Sequence, residues 1–215
     1  MKNTVTSRLN KFLKNFVLSL LAAFVSLTVS AEEAKPQKLV MMSGNAVAPY
    51  MLMVGDKGNW NLAVDSNDFS SKNGAIQVVS EEKTQIKTFN FMGKGEGQAY
   101  LQTNQPYDLS CFGEQNSALV LLMKVNKKPS KKVLLRMACG YPCKGEVDIS
   151  KLIKKIPEGA WGKLSFSMKC FTDRGLNIAN VMSPMALATS GRFSITIAEA
   201  ALEPNIGDKA TFKCE

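Results

Sequence analysis

The chain has 215 residues, a formal net charge of +9 and 45% hydrophobic residues, which fits one domain with a sizeable core. It contains no histidine, and this excludes Ser-His-Asp and Cys-His nucleophiles, imidazole acid/base chemistry and histidine-ligated zinc together. Only hydrolysis by paired carboxylates stays open to it as an enzyme.

Part of the basic excess sits at the very start. Lys2, Arg8, Lys11 and Lys14 precede the apolar run FVLSLLAAFVSLTVS, and Val29, Ser30 and Ala31 stand ahead of Glu32. That is the layout of a secretory signal peptide over residues 1–31. The run of about 15 apolar residues is short for a membrane span, which needs roughly 20. The expectation is a periplasmic or secreted protein that is not integral to the membrane after cleavage, and whose mild remaining charge does not make nucleic acid a partner. A linker at 32–37, a β domain at 38–204 and a tail at 205–215 complete the expected layout.

From there the chain runs in short apolar or alternating segments divided by turn signals, the pattern of an all-β domain. In order they are KLVMMS, NWNLAV, GAIQVVS, TQIKTFNF, QAYLQT, ALVLLMKV (118–125), KVLLRMAC (132–139), WGKLSFSMKCF (161–171) and RFSITIAEAAL (192–202). Between them lie SNDFSSKNG, GKGEG, TNQPYD and NKKPSKK, rich in turn formers. In WGKLSFSMKCF, Leu164, Phe166 and Met168 share one side and Ser165, Ser167 and Lys169 the other, so one face is buried. ALVLLMKV is apolar on both sides up to Lys124, marking a strand covered on both faces or one whose second face lines a groove. The KVNKKPSKKV stretch reads as a solvated hairpin turn. Helix is limited to one or two turns, at DISKLIKKI with Asp148 as N-cap and at RGLNIANV.

The five cysteines are Cys111, Cys139, Cys143, Cys170 and Cys214, and in an exported chain they favour disulfides. In CGYPC three residues separate Cys139 from Cys143, and no helix follows at once to stabilise a thiolate, so a stapled turn is expected rather than a redox centre. Cys170 is the alternative partner for either cysteine, and Cys214, next to the C-terminus, is the expected odd thiol. For sugar recognition the chain offers Trp60 and Tyr100 as stacking faces, with Gln102 and Arg136 as hydrogen-bonding groups. Trp161, which opens a strand, is expected in the core. Asp65, Asn67 and Asp68 in DSNDF form a candidate structural calcium site, set against a simple Asx-capped turn; no other cofactor is expected.

These segments together resemble the ExoP-type galactose-binding-like domain, the β-sandwich appended to many bacterial family 3 glycoside hydrolases acting on β-glucans. The resemblance rests on the strand pair around a Lys/Pro turn and on CGYPC with the DIS segment after it. It also rests on the strand opened by Trp161 and ending in Cys-Phe, and on PMALATSGRF. Upstream, APYMLMVGDKGNW, SKNGAIQVV and TQIKTFNFMGKGEG look like the family's first strands, with Phe91 where a Trp is expected. It implies a jelly-roll sandwich found elsewhere as the non-catalytic companion of a glucosidase. The main expectation is an exported carbohydrate-binding module with a glucan or related polysaccharide as ligand. No catalytic residue carries over. Two other readings remain: a protein-interaction module that docks onto a separately encoded glycoside hydrolase or an envelope complex, and a weak carboxylate-dependent glycosidase.

Overall fold

The computed structural model describes residues 38–214; the expected signal peptide and linker lie outside them. Fourteen strands build two antiparallel sheets among the described residues. The first holds β1 (Lys38–Met42), β2 (Asn45–Ala46), β5 (Asp68–Ser70), β6 (Ile76–Ser80), β7 (Lys87–Met92), β9 (Ala118–Lys127), β12 (Trp161–Ser167) and β14 (Arg192–Glu203). Its order is β12-β9-β14-β7-β6-β5, with β1 beside the last part of β14 and β2 beyond β1. The second sheet holds β3 (Met51–Asp56), β4 (Asn59–Ala63), β8 (Gly97–Gln102), β10 (Leu134–Ala138), β11 (Lys144–Asp148) and β13 (Ser183–Thr189). They lie in the order β11-β10-β13-β8-β3-β4.

Period-two alternation explains why the sheets close on each other. Phe89 and Phe91 of β7, Leu119, Leu121, Met123 and Val125 of β9, and Phe193, Ile195 and Ile197 of β14 are buried in one cluster with Leu52, Val54, Leu101, Leu135, Met137 and Leu187 of the opposite sheet. The Phe91 and Phe193 rings stack at 5.9 Å. This is the expected all-β, galactose-binding-like jelly roll. Helix is confined to α1 (Ser110–Glu114), α2 (Ser150–Lys155), α3 (Lys169–Thr172) and two single 3-10 turns. Asp148 accepts from the Ser150 N–H at 2.9 Å and so supports the start of α2 from two residues outside it.

Several local expectations need correction. The strand read to Phe171 ends at Ser167, where the chain turns into α3, and that helical turn buries both Cys170 and Phe171. The Lys-rich KVNKKPSKKV is not a hairpin turn: β9 and β10 belong to different sheets, and the segment crosses between them with Val133 buried. Trp161 is not core, being 46% exposed with the Lys124 Nζ 5.3 Å from its ring centroid. Cys139 bonds to Cys143, as the stapled turn requires, with Cα atoms 5.1 Å apart. Cys170 bonds to neither of them; its partner is Cys214, at a Cα separation of 5.2 Å, which leaves exposed Cys111 as the free cysteine. The outer side of β9 is closed by the residues after β14, where Ile206 and Ala210 pack on Ala118 and Val120; Phe212 then bridges to Phe166 of the edge strand β12, with ring centroids 6.0 Å apart.

Candidate outer-face binding site

The outward side chains of the second sheet form a continuous row across all six strands. Register pairs Glu146 with Arg136, Arg136 with Ala186, Ala186 with Tyr100, Tyr100 with Met53 and Met53 with Ala63. At roughly 4.8 Å per strand the row spans roughly 24 Å. Adjacent rows add Gln98 and Gln102 of β8 and Met51 of β3. The sequence candidates Tyr100, Gln102 and Arg136 therefore share one face. Trp60 stands at its edge on β4.

Each end of the row is held rigidly. The Arg136 guanidinium donates from Nε to Glu146, and from its terminal nitrogen to Glu96 at 3.2 Å. The Lys144 Nζ donates to the same Glu146 carboxylate at 3.1 Å. Burial pushes the Glu146 carboxyl up, but the hydrogen bonds and charges of Arg136 and Lys144 outweigh it and hold it below the usual carboxylate range. The clip Cys139–Cys143 closes the loop between β10 and β11, with the Cys139 N–H donating to the Cys143 carbonyl at 3.0 Å. CGYPC thus fixes the hairpin whose two strands carry Arg136 and Glu146. On the far side of β11, α3 lies so close that a Cβ on Gly145 would collide with the Phe171 carbonyl.

At the other end, the Tyr100 hydroxyl meets the Trp60 carbonyl at 2.9 Å and Asn61 Oδ1 at 2.7 Å. Burial pushes the phenol up to about 12. Tyr100 is 6% exposed, which corrects the expectation of an open stacking platform: its side chain reaches across β3 to β4, where its hydroxyl is held. Trp60, at 39%, keeps an accessible ring. The β3–β4 hairpin beneath it is set by Asp56, only 1% exposed. Asp56 accepts from the Gly58 N–H at 2.8 Å, the Ser71 hydroxyl at 2.6 Å and the Asn73 N–H at 2.7 Å. Burial raises its carboxyl, yet these bonds together bring it below the ordinary value.

The calcium candidates do not converge with this face. Asp65 and Asn67 line a cleft at the end of the sandwich, and Asp68 lies in β5. Among the described residues no three His, Cys, Asp or Glu side chains are grouped to hold a metal. No helix among them is long and apolar enough to cross a membrane.

Sequence reasoning misses a second polar surface, the outer face of the first sheet. There Thr88, Thr196, Lys124 and Trp161 align in register. Thr88 and Thr196 share a hydrogen bond of 2.7 Å, and Asn126 donates to Thr196 at 2.8 Å. The signal is present in the polar positions of SITI and KTFN, but placing Trp161 in the core hides it.

A family profile for the ExoP C-terminal region, described as galactose-binding domain-like, matches residues 48–202. Among solved structures the chain is similar to an exo-1,3/1,4-β-glucanase from a Pseudoalteromonas species, with 15% identity, a TM-score of 0.67 and 86% of this chain covered. It spans only 23% of that enzyme. The match falls also on that enzyme's extra C-terminal domain, crystallised alone: 16% identity, TM-score 0.63, with 78% of this chain and 92% of that domain covered. A family 11 carbohydrate-binding module from Clostridium thermocellum, in complex with a β-1,3-1,4-mixed-linked tetrasaccharide, is similar at 10% identity and a TM-score of 0.51 over 80% of this chain and 97% of that one. No curated protein matches the sequence.

Proposed function

This chain belongs to the galactose-binding domain-like family, and on that premise we propose that it is an exported, non-catalytic module that binds a β-glucan or related polysaccharide on the outer face of its six-stranded sheet. The observation that carries the reading is the row from Glu146 to Ala63, with fixed polar groups at one end, an accessible tryptophan at the other and Ala186 and Met53 between. Such a surface offers planar hydrogen-bonding groups to sugar hydroxyls and an aromatic face to sugar C–H groups. Its likeness to a domain that is a minor part of a glucanase supports a role beside an enzyme rather than as one. Export by the signal peptide at 1–31 agrees with two disulfides, and a separately encoded glycoside hydrolase is the proposed companion.

Two substitutions and one control on the opposite sheet test the assignment of the face. Arg136→Ala is expected to weaken binding of a mixed-linkage β-glucan oligosaccharide by about 30-fold, the loss typical of a dominant arginine contact, measured by isothermal titration calorimetry. Trp60→Ala is expected to weaken it by about tenfold while Trp161→Ala leaves it unchanged. The reverse order would move the site to the outer face of the eight-stranded sheet. Affinity retained in both Arg136→Ala and Trp60→Ala would reject the six-stranded face.

A further inference from the structure

Lys87 breaks the apolar pattern of its strand. Along β7 the inward side is Lys87, Phe89 and Phe91, so the lysine points between the sheets at the end of the sandwich rather than into solvent. It is 8% exposed, and its ammonium donates one hydrogen bond, to the Ser80 hydroxyl at 3.0 Å. Among the described residues it makes no ion pair. A buried ammonium with one neutral partner is costly, and the compensation that suits it is an anion within hydrogen-bond reach. Burial also lowers its pKa, as expected of a cation without a counter-charge.

Lys87 lines an open cleft together with Asn45, Asp65, Ser66, Asn67 and Gln85, over an apolar base that includes Leu52 and Val64. The Asn45 and Gln85 amide nitrogens are committed to backbone carbonyls at 3.1 Å each, which leaves their oxygens as acceptors. The Asp65 carboxylate makes no hydrogen bond or ion pair among the described residues, and it stands too far from Lys87 to pair with it. The cleft thus combines one unmatched buried cation with several acceptors suited to hydroxyls.

We propose that this cleft is a second glycan site, which takes a hexuronic acid residue with its carboxylate on Lys87 and its ring hydroxyls on Asp65, Asn45 and Gln85. The inference rests on the carbohydrate-binding reading but uses neither Arg136 nor Trp60. A neutral sugar would leave the ammonium unmatched, and a simple anion would leave the acceptors idle.

The test compares trigalacturonate with cellotetraose by calorimetry on the whole chain, in wild type, Lys87→Met and Arg136→Ala. Trigalacturonate is expected to bind wild type and to weaken by about 30-fold or more in Lys87→Met, the loss that follows removal of one partner of a buried charge pair. Added salt weakens the wild-type interaction, and Arg136→Ala leaves it unchanged. Lys87→Met removes a buried charge and is expected to fold; Asp65→Ala, which removes a hydroxyl acceptor and is expected to give a smaller loss, is the second variant. The site is overturned if wild type does not bind trigalacturonate, or if Lys87→Met and Asp65→Ala both keep wild-type affinity for it. Failure of cellotetraose alone would count against the neutral-glucan reading and leave this one standing.

Discussion

Replacing both Cys170 and Cys214 by serine is expected to lower the unfolding free energy by about 4 kcal/mol, the chain-entropy value for a closed loop of this length. The two lie 44 residues apart in sequence, and everything from β13 through β14 to the final segment falls inside the loop. The short Cys139–Cys143 loop, with a separation of 4, is worth about 2 kcal/mol by the same reasoning. The long bridge also has a local effect. It joins α3 to the segment carrying Phe212, and α3 rests on Gly145 beside Glu146. Urea denaturation of the double variant should therefore show the larger fall, with weaker glycan binding as β11 loosens. Equal stability of the two disulfide variants would contradict this account.

Asp56→Ala is the second large effect, expected at about 3 kcal/mol, because it leaves a buried hydroxyl and at least two backbone N–H groups without their acceptor. The Ser71 hydroxyl, which donates to Asp56, also accepts from the Ile76 N–H at 3.1 Å, so the loss spreads to the start of β6. The sign of the pH dependence follows from the lowered folded pKa. Above the unfolded value of about 3.9 the ionised carboxylate contributes its full stabilisation. As pH falls through the folded pKa that contribution is lost. Asp56→Asn should therefore flatten the acid limb of the stability curve while costing most at neutral pH. Because the same carboxylate sets the hairpin that bears Trp60, both variants should also bind glycan less tightly. An acid limb unchanged in Asp56→Asn would show that another group governs it.

How far the sequence can be read depends on whether a residue's neighbours lie along the chain or across the sheet. The strands β6, β7 and β12 are legible because each buries mainly one side against the core, so period two survives in GAIQVVS or KLSFS. By contrast β9 and β14, buried on both sides over much of their length, are legible as apolar runs bounded by turn signals. β13 does not read as a strand from its pattern, because every residue from Ser183 to Thr189 is buried. Its outward Ala186 is flanked in register by Arg136 and Tyr100, which removes the alternation. KGEVD fails as a strand signal for a related reason, since Gly145 meets a backbone carbonyl instead of a side chain. Cys214 is misread as the odd thiol because its place near the terminus says nothing of the turn that brings it back to α3.

The candidate site divides in the same way. Arg136 is visible as a charge interrupting an apolar strand, and Tyr100 and Gln102 share their face by simple alternation. The pairing of Arg136 with Glu146 needs the hairpin register, and with it the CGYPC clip. Tyr100 looks exposed because its strand alternates with glutamines, yet the partner it meets on β4 arrives from 40 residues upstream.

Chemical-shift mapping of the 15N-labelled domain with a β-1,3-1,4-linked tetrasaccharide tests the central claim most directly. Shifts are expected to concentrate on Gln98, Tyr100, Gln102, Arg136, Glu146 and the Trp60 indole, to need about 30-fold more ligand in Arg136→Ala, and to leave the Trp161 indole unmoved. Shifts confined to the eight-stranded face, or none with this or any other glucan, would contradict it.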